Sequence, residues 1–298
     1  MIDIAGKKFW YFGFSLLVII PGLVALVLWG LNLGVDFTGG TLLELKFSQS
    51  VSKENLEKTI KTTGVEVASI ASTESKTYLV RTKPLDENSR KSIIASSQNK
   101  FGNVEQVSIE TIGPTIGSEL MKKALLAIGV ASLAIVLYIA LAFRKVPAPA
   151  SSWRFGICAV VALLHDVLVV VGIFSIFGHF FGVEIDALFI TALLTIIGFS
   201  VHDTIVVFDR IRENLSKGVG NSFADTVNHS IIQTIDRSIN TSLTVVLVLL
   251  AVLLFGGANI RWFTAALLIG VVSGTYSSVF NAAPLLVLWQ EWGERRKK

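Results

Sequence analysis

Asp203 lies between Ile185 and Phe208, in a stretch otherwise almost free of charge and long enough to cross a bilayer. An ionised carboxylate at such a place costs several kcal/mol, on the order of 2.5–3.5 on insertion scales, and residues of this kind mark ion or proton paths. His202 precedes it and brings a side chain that titrates near neutrality. The same dipeptide recurs one run earlier, where Leu164-His165-Asp166-Val167 echoes Val201-His202-Asp203-Thr204. Arg237 opens the fifth apolar run, from whose edge it can reach inward. The chemistry these residues suit is proton relay. Desolvation favours the neutral acid and a nearby cation favours the carboxylate, so moving Arg237 toward or away from Asp203 would switch its charge. The alternative is a static Asp203–Arg237 bridge that only holds helices together. Asp166 is either a relay member or a satisfied polar anchor.

At ~100° per residue, Thr191, Thr195, Gly198, His202 and Asp209 fall on one narrow helical face. Asp203 lies about a quarter turn from that stripe. The polar face should line a protein or water-filled interior, with Thr191 and Thr195 as waypoints and Asn240 as a pathway or helix-packing residue on the fifth span. Asp203 is seven residues before Arg210, so ~10 Å from the cytoplasmic end, and Asp166 is deeper, ~18 Å past Arg154.

The elements that must hold these groups follow from composition. The mean hydropathy of +0.66, with 52% hydrophobic and only 16% charged residues, indicates an integral membrane protein. Six runs are long enough to span, near 9–30, 123–143, 155–178, 185–209, 238–256 and 262–290. Aromatics cluster near their ends (Trp10, Trp29, Trp153, Trp262, Trp289), as interfacial belts do. The first run is no cleaved signal peptide, since its apolar core is long and no A-x-A-like site follows; Pro21 kinks it. Lys7, Lys8, Arg144, Lys145, Arg154, Arg210, Arg212, Lys217, Arg237 and Arg295 to Lys298 gather on one side, so both termini are expected in the cytoplasm. Lys122 and Lys123 are exceptions that snorkel or pair with Glu119.

Residues 31–122 are too many for a loop and must form a domain outside the membrane. Their pattern is strand 41–47, helix 52–63, strands 65–72 and 76–83, helix 86–101 and strand 104–112. This β-α-β-β-α-β order is the ferredoxin-like pattern. The expected fold is therefore six transmembrane helices, 1–30 holding the first and 123–290 the other five, with one such α+β domain and a basic tail at 291–298. Within 211–236, Phe223, Val227, Ile231 and Ile235 recur four apart, as in an amphipathic helix lying along the cytoplasmic interface. It serves as a plain connector or as a docking surface. Gly270 and Gly274 form a G-x-x-x-G that reads as close helix packing. In Gly34 to Thr41, Gly39 and Gly40 permit a sharp turn from span to domain, and Asp36 can cap nearby amides. That motif is either a hinge or a fixed turn. The single Cys158 forms no intramolecular disulfide, no Cys/His cluster has metal-ligand spacing, and the basic residues are not pooled for nucleic acid. No nucleophile–base pair or phosphate loop marks an enzyme, and no cofactor is implied.

Several of these segments resemble the SecD/SecF family. Gly34-Val-Asp-Phe-Thr-Gly-Gly-Thr41 resembles its opening motif, and Ile112-Gly-Pro-Thr-Ile-Gly-Ser-Glu119 the motif with which its outer domain returns to the membrane. Gly198 to Asn214 is similar to its fourth-span signature, and Arg237-Ser-Ile-Asn-Thr-Ser242 with Phe255-Gly-Gly257 to its fifth. The matches run in order over nearly the whole chain, and one small outer domain points to the SecF side. The resemblance implies an accessory subunit of the bacterial Sec translocon in the inner membrane, related to resistance-nodulation-division transporters. Its implied partners are SecD, the SecYEG channel, YajC and the translocating preprotein. It implies use of the proton gradient to complete export, with the coupling pair falling on Asp203 and Arg237. The family commonly has Asn before that Asp; here His202 either adds a titrating site or replaces one hydrogen-bonding side chain by another. A small-molecule exporter half and a passive translocon scaffold are the rival expectations.

Overall fold

The computed structural model describes residues 3–74, 76–144, 146–147 and 150–295. Lys145 and Arg296 to Lys298, used above for orientation, lie outside the described residues. The chain divides into two compact units, one of residues 1–31, 127–183 and 188–298, the other of 32–126 and 184–187.

The second unit is the sheet domain. Strands β1 (Gly40–Phe47), β2 (Val67–Glu74), β3 (Thr77–Thr82) and β4 (Val104–Ile112) form one antiparallel sheet in the order β2-β3-β1-β4. A short turn of helix, α2 (Val35–Thr38), precedes β1; α3 (Lys53–Lys61) and α4 (Glu87–Phe101) complete the ferredoxin-like arrangement. Ser52 and Asp86 cap α3 and α4 by accepting from the amides of Asn55 and Ser89, which satisfies one orphan donor at each helix start. Alternate residues of β1 (Leu43, Leu45, Phe47) and β3 (Tyr78, Val80) point to one face and bury against Leu56, Ile60 and Ile93 of the helices. This is the period-2 pattern of a half-covered sheet.

The first unit is helical. With α5 (Pro114–Ala142), which starts in the sheet domain, the described residues include six helices long and apolar enough to cross a membrane. The others are α1 (Lys8–Trp29), α6 (Ser152–Phe181), α7 (Ala187–Ser216), α8 (Phe223–Phe255) and a last span of α9 (Ala258–Ser277) and α10 (Ala283–Arg295) joined by a π-helix at Ser278–Ala282. Pro21 lies inside α1 without ending it. Pro284 follows the π-helix; its ring nitrogen has no hydrogen for the carbonyl one turn back, which accounts for the widened turn there. Gly22 and Gly172 let α1 and α6 cross at backbone contact, since a Cβ on Gly172 would lie 2.7 Å from the Gly22 Cα. Phe143, Phe155 and Phe208 cluster with ring centroids 5.0–5.7 Å apart in the core.

Two expectations change. The segment 211–236 is not a separate interfacial helix: α7 runs on to Ser216 and α8 starts at Phe223 as one rod of 33 residues. Its apolar stripe faces protein, with Val227 and Ile231 fully buried in the helical core and Phe223 and Ile235 packed on it. The fifth helix begins at Pro114 instead of 123 because proline suits a first helical turn. Lys123 pairs with Glu119 at 2.8 Å, as one alternative held.

Candidate functional site

Helix α7 carries three groups of polar residues on different faces. Gly270 and Gly274 set its approach to α9: a Cβ on Gly270 would meet Ile196 at 2.3 Å, and one on Gly274 would meet the Ser200 Cβ at 3.1 Å. The G-x-x-x-G is thus a packing device. Around the Gly274 contact, neighbouring residues of α9 leave on opposite flanks, Ser273 and Ser277 toward α6 and Thr275 toward α8.

Asp203 is 3% exposed. Its carboxyl interacts with the Thr275 hydroxyl and feels the fields of His202 and Arg237. Thr275 Oγ1 is 2.5 Å from Ser242 Oγ, so α9 and α8 are joined through hydroxyls. Oδ2 of Asp203 is buried and has no hydrogen-bond partner. Arg237 is exposed, and among the described residues no ion pair joins it to Asp203. The static bridge is therefore not formed. His202 and Asn240 are exposed as well.

The stripe Thr191, Thr195, Gly198, His202 and Asp209 was expected to line an interior. Within this chain all five are exposed. Thr195 returns its hydroxyl to the Thr191 carbonyl at 2.8 Å, and Asp209 pairs with Arg212 at 2.6 Å. A helical wheel gives faces, not what covers them, so an uncovered polar stripe and an interior one look alike in sequence.

Asp166 occupies a different setting. It is 0% exposed, and each of its oxygens accepts two hydrogen bonds. Oδ1 accepts from Ser273 Oγ at 2.7 Å and meets His165 Nδ1 at 3.0 Å. Oδ2 accepts from Ser277 Oγ at 2.7 Å and Ser200 Oγ at 2.5 Å. A carboxylate offers about four acceptor sites, and all are filled. The structure does not bring Asp166 to Arg237, and its donors were missed in the sequence. Ser273 and Ser277 are four apart and so share a face, which was the available signal. Thr204 and Ser278, 3.0 Å apart, extend the polar interior between α7 and the π-helix.

The Gly34–Gly40 motif belongs to the sheet domain. Gly39 and Gly40 take φ of +73° and +134°, and a Cβ on either would strike backbone, of Pro114 at 2.8 Å and of Thr82 at 2.6 Å. Asp36 Oδ2 accepts from the amide of Ala187 at 2.8 Å, at the start of α7. The Gly34 amide donates to Ile185 O at 2.7 Å, and Ile185 N to Asn32 O at 2.8 Å. Arg81 forms an ion pair with Glu184. Burial pushes the Glu184 carboxyl above the usual carboxylate range, and Arg81 only partly restores it. Residues 184–187 are thereby part of the sheet domain.

Six membrane-length helices with a four-stranded ferredoxin-like domain inserted after the first define a multi-pass membrane protein. The family model described as "Protein export membrane protein SecD/SecF, C-terminal" matches residues 92–292, and that described as "SecD/SecF GG Motif" matches 29–51. The chain belongs to the SecD/SecF family, and its role is Sec-associated protein translocation. It is 49% identical to the protein translocase subunit SecF of Thermobaculum terrenum, over 97% of this chain and 94% of that one. It is 35% identical to the protein translocase subunit SecDF of Bacillus subtilis, over 99% of this chain and 39% of that one. The crystal structure of SecDF from Thermus thermophilus, a translocon-associated membrane protein, superposes with a TM-score of 0.86 at 34% identity. That match covers 97% of this chain and 39% of the other. The GG-motif match includes Gly39 and Gly40, the residues whose backbone turns the chain into β1.

Proposed function

We propose that this chain works with SecD as one proton-driven unit that completes export of preproteins through the SecYEG channel, with YajC as a further associate. It would sit in the bacterial inner membrane with both termini in the cytoplasm and the sheet domain outside. The observation that carries the proposal is Asp203: a buried carboxyl whose Oδ2 lacks any hydrogen-bond partner and which, among the described residues, forms no ion pair with Arg237. An unpartnered buried oxygen is costly, and a group left in that condition is suited to taking up and losing a proton as its surroundings change.

The uncovered stripe supports the partner. Thr191, Thr195, His202, Arg237 and Asn240 would face lipid in a lone chain, which is costly for polar and charged groups. A second helix bundle against α7 and α8 removes that cost, and the fusion of SecD and SecF in the relatives named SecDF makes SecD the natural occupant. Covering the stripe would also exclude water around Arg237 and strengthen its field at Asp203. Here His202 lies beside the carboxyl and Asp166 serves as a fixed polar anchor of the same core. Within the sheet unit, the Gly34 amide donates to Ile185 O and Asp36 accepts from the Ala187 amide, beside the Gly39 and Gly40 turn.

The test replaces Asp203 by Asn, confirms that the complex with SecD still assembles, and measures gradient-dependent export. Loss of the gradient-dependent component with assembly intact is the expected result. Normal export would leave only the scaffold role.

A further inference from the structure

We propose that His165 is a second proton-binding group of this chain, with the buried Asp166 as its permanent counter-ion; its use in transport rests on the proton-coupled reading above, but the protonation itself does not. His165 lies between two kinds of partner. Nδ1 is 3.0 Å from Asp166 Oδ1, and Nε2 is 3.0 Å from Ser15 Oγ on α1. Ser15 Oγ is in turn 2.7 Å from Asn281 Nδ2 and 3.1 Å from Asn281 Oδ1.

This arrangement is complete in two proton states. With a neutral imidazole, Nδ1–H donates to Asp166, Nε2 accepts from the Ser15 hydroxyl, and Ser15 accepts from the Asn281 amide nitrogen. With an imidazolium, Nε2–H donates to Ser15 and the Ser15 hydroxyl turns to the Asn281 carbonyl oxygen. The exchange needs one hydroxyl rotation and no movement of a heavy atom, because a hydroxyl is both donor and acceptor and Asn offers one atom of each kind.

Asp166 fits the role of counter-ion. Its four acceptor positions are filled by His165, Ser200, Ser273 and Ser277, so a proton on either oxygen would displace a donor. The added proton therefore belongs on the imidazole. The groups facing His165 are few. From α9, the Tyr276 ring stacks with its centroid 6.4 Å away and its hydroxyl donates to the Tyr11 carbonyl of α1. From the π-helix there is Asn281, which reaches the ring through Ser15, and from α7 there is Ser200, which bonds Asp166. Phenols keep their protons near neutrality, and among the described residues no Lys or Arg pairs with Asp166. The π-helix is what turns Asn281 toward Ser15; such turns recur at functional sites.

The full chain contains four histidines. In a His179→Gln, His202→Gln, His229→Gln variant labelled with 15N-histidine and held in lipid nanodiscs, His165 is the sole imidazole. Its nitrogen shifts are followed from about pH 5 to pH 9, the range in which histidines exchange protons. The expected result is conversion between an Nδ1–H neutral form and a doubly protonated form. At the midpoint, Ser15→Ala should lower the protonated-to-neutral ratio about fivefold, because the hydrogen bond it removes is stronger to the charged imidazolium than to the neutral ring. Should the triple variant not fold, the difference between the parent and His165→Gln spectra isolates the same signal. A single protonation state throughout, or a titration indifferent to Ser15→Ala, overturns the proposal. Either result is independent of the Asp203→Asn export assay, so the two readings fail separately.

Discussion

Replacing Asp166 by Ala is the most direct probe of how the helical core is held. The substitution deletes two oxygens that together take four hydrogen bonds. Each buried donor left without its acceptor costs about 1 kcal/mol or more, which puts the loss for four donors at no less than about 4 kcal/mol. One donor has a reserve: Ser277 Oγ already lies 3.2 Å from the Gly274 carbonyl, so about 3 kcal/mol is the working minimum. Asp166→Asn should be milder. Its amide oxygen still accepts two bonds, and two of the serine hydroxyls can reverse to accept from the amide nitrogen, leaving roughly 1–2 kcal/mol. Equilibrium unfolding of the purified chain in bicelles would rank parent, Asn and Ala in that order. An Ala variant as stable as the parent would refute the idea that this carboxylate organises α6, α7 and α9. An Asn variant worse than Ala would show that its charge, not its acceptor count, matters.

Two further outcomes are expected. Gly172→Leu places a side chain where even a Cβ would lie 2.7 Å from the Gly22 backbone. It should force α1 from α6 at about 1–3 kcal/mol, seen as loss of a disulfide engineered across that crossing, whereas Gly13→Leu, where nothing lies within 4 Å, should leave it formed. The Glu184 carboxyl is held above its unfolded value by burial, so the folded domain binds that proton more tightly than the unfolded chain. Stability attributable to Glu184 is therefore present in acid and falls as pH rises from the unfolded value through the folded one. Glu184→Gln should flatten that slope in pH-dependent denaturation of the full chain, and an unchanged slope would show that the group is not desolvated.

The sheet domain was the most legible part of the chain. Ser52 and Asp86 stand directly before helical runs, and the alternation Leu43, Leu45, Phe47 is period 2, so local chemistry decides these elements. The six spans were legible for the same reason, since length and apolarity suffice. Helix ends were less so. The Phe223–Ile235 stripe has the periodicity of an interfacial helix, and only its place in the buried helical core shows that it faces protein. The π-helix was hidden because a wheel drawn at a fixed angle cannot register an inserted residue. At the site, Asp203 stood out as a charge in an apolar run, and it is buried where the Thr191–His202 stripe is exposed. The serines around Asp166 did not stand out, because single hydroxyls are common in membrane helices and acquire meaning only when three helices converge on one carboxylate.

The four residues between Val183 and Leu188 give the sheet domain an unusual stake in the membrane helices. Chain order assigns them to a loop joining α6 to α7, yet their backbone is laced to Asn32 and Gly34, their carboxylate to Arg81, and the first amide of α7 to Asp36. A truncated protein in which 40–112 gave way to a short linker would thus lose more than an appendage. Glu184 would be stripped of its arginine, while Asn32, Gly34 and Asp36, which hold residues 185 and 187, would remain. An export defect in such a truncation would not separate the work of the domain from that of the helix it tethers; a graded series at Arg81 and Asp36, with the domain left in place, would.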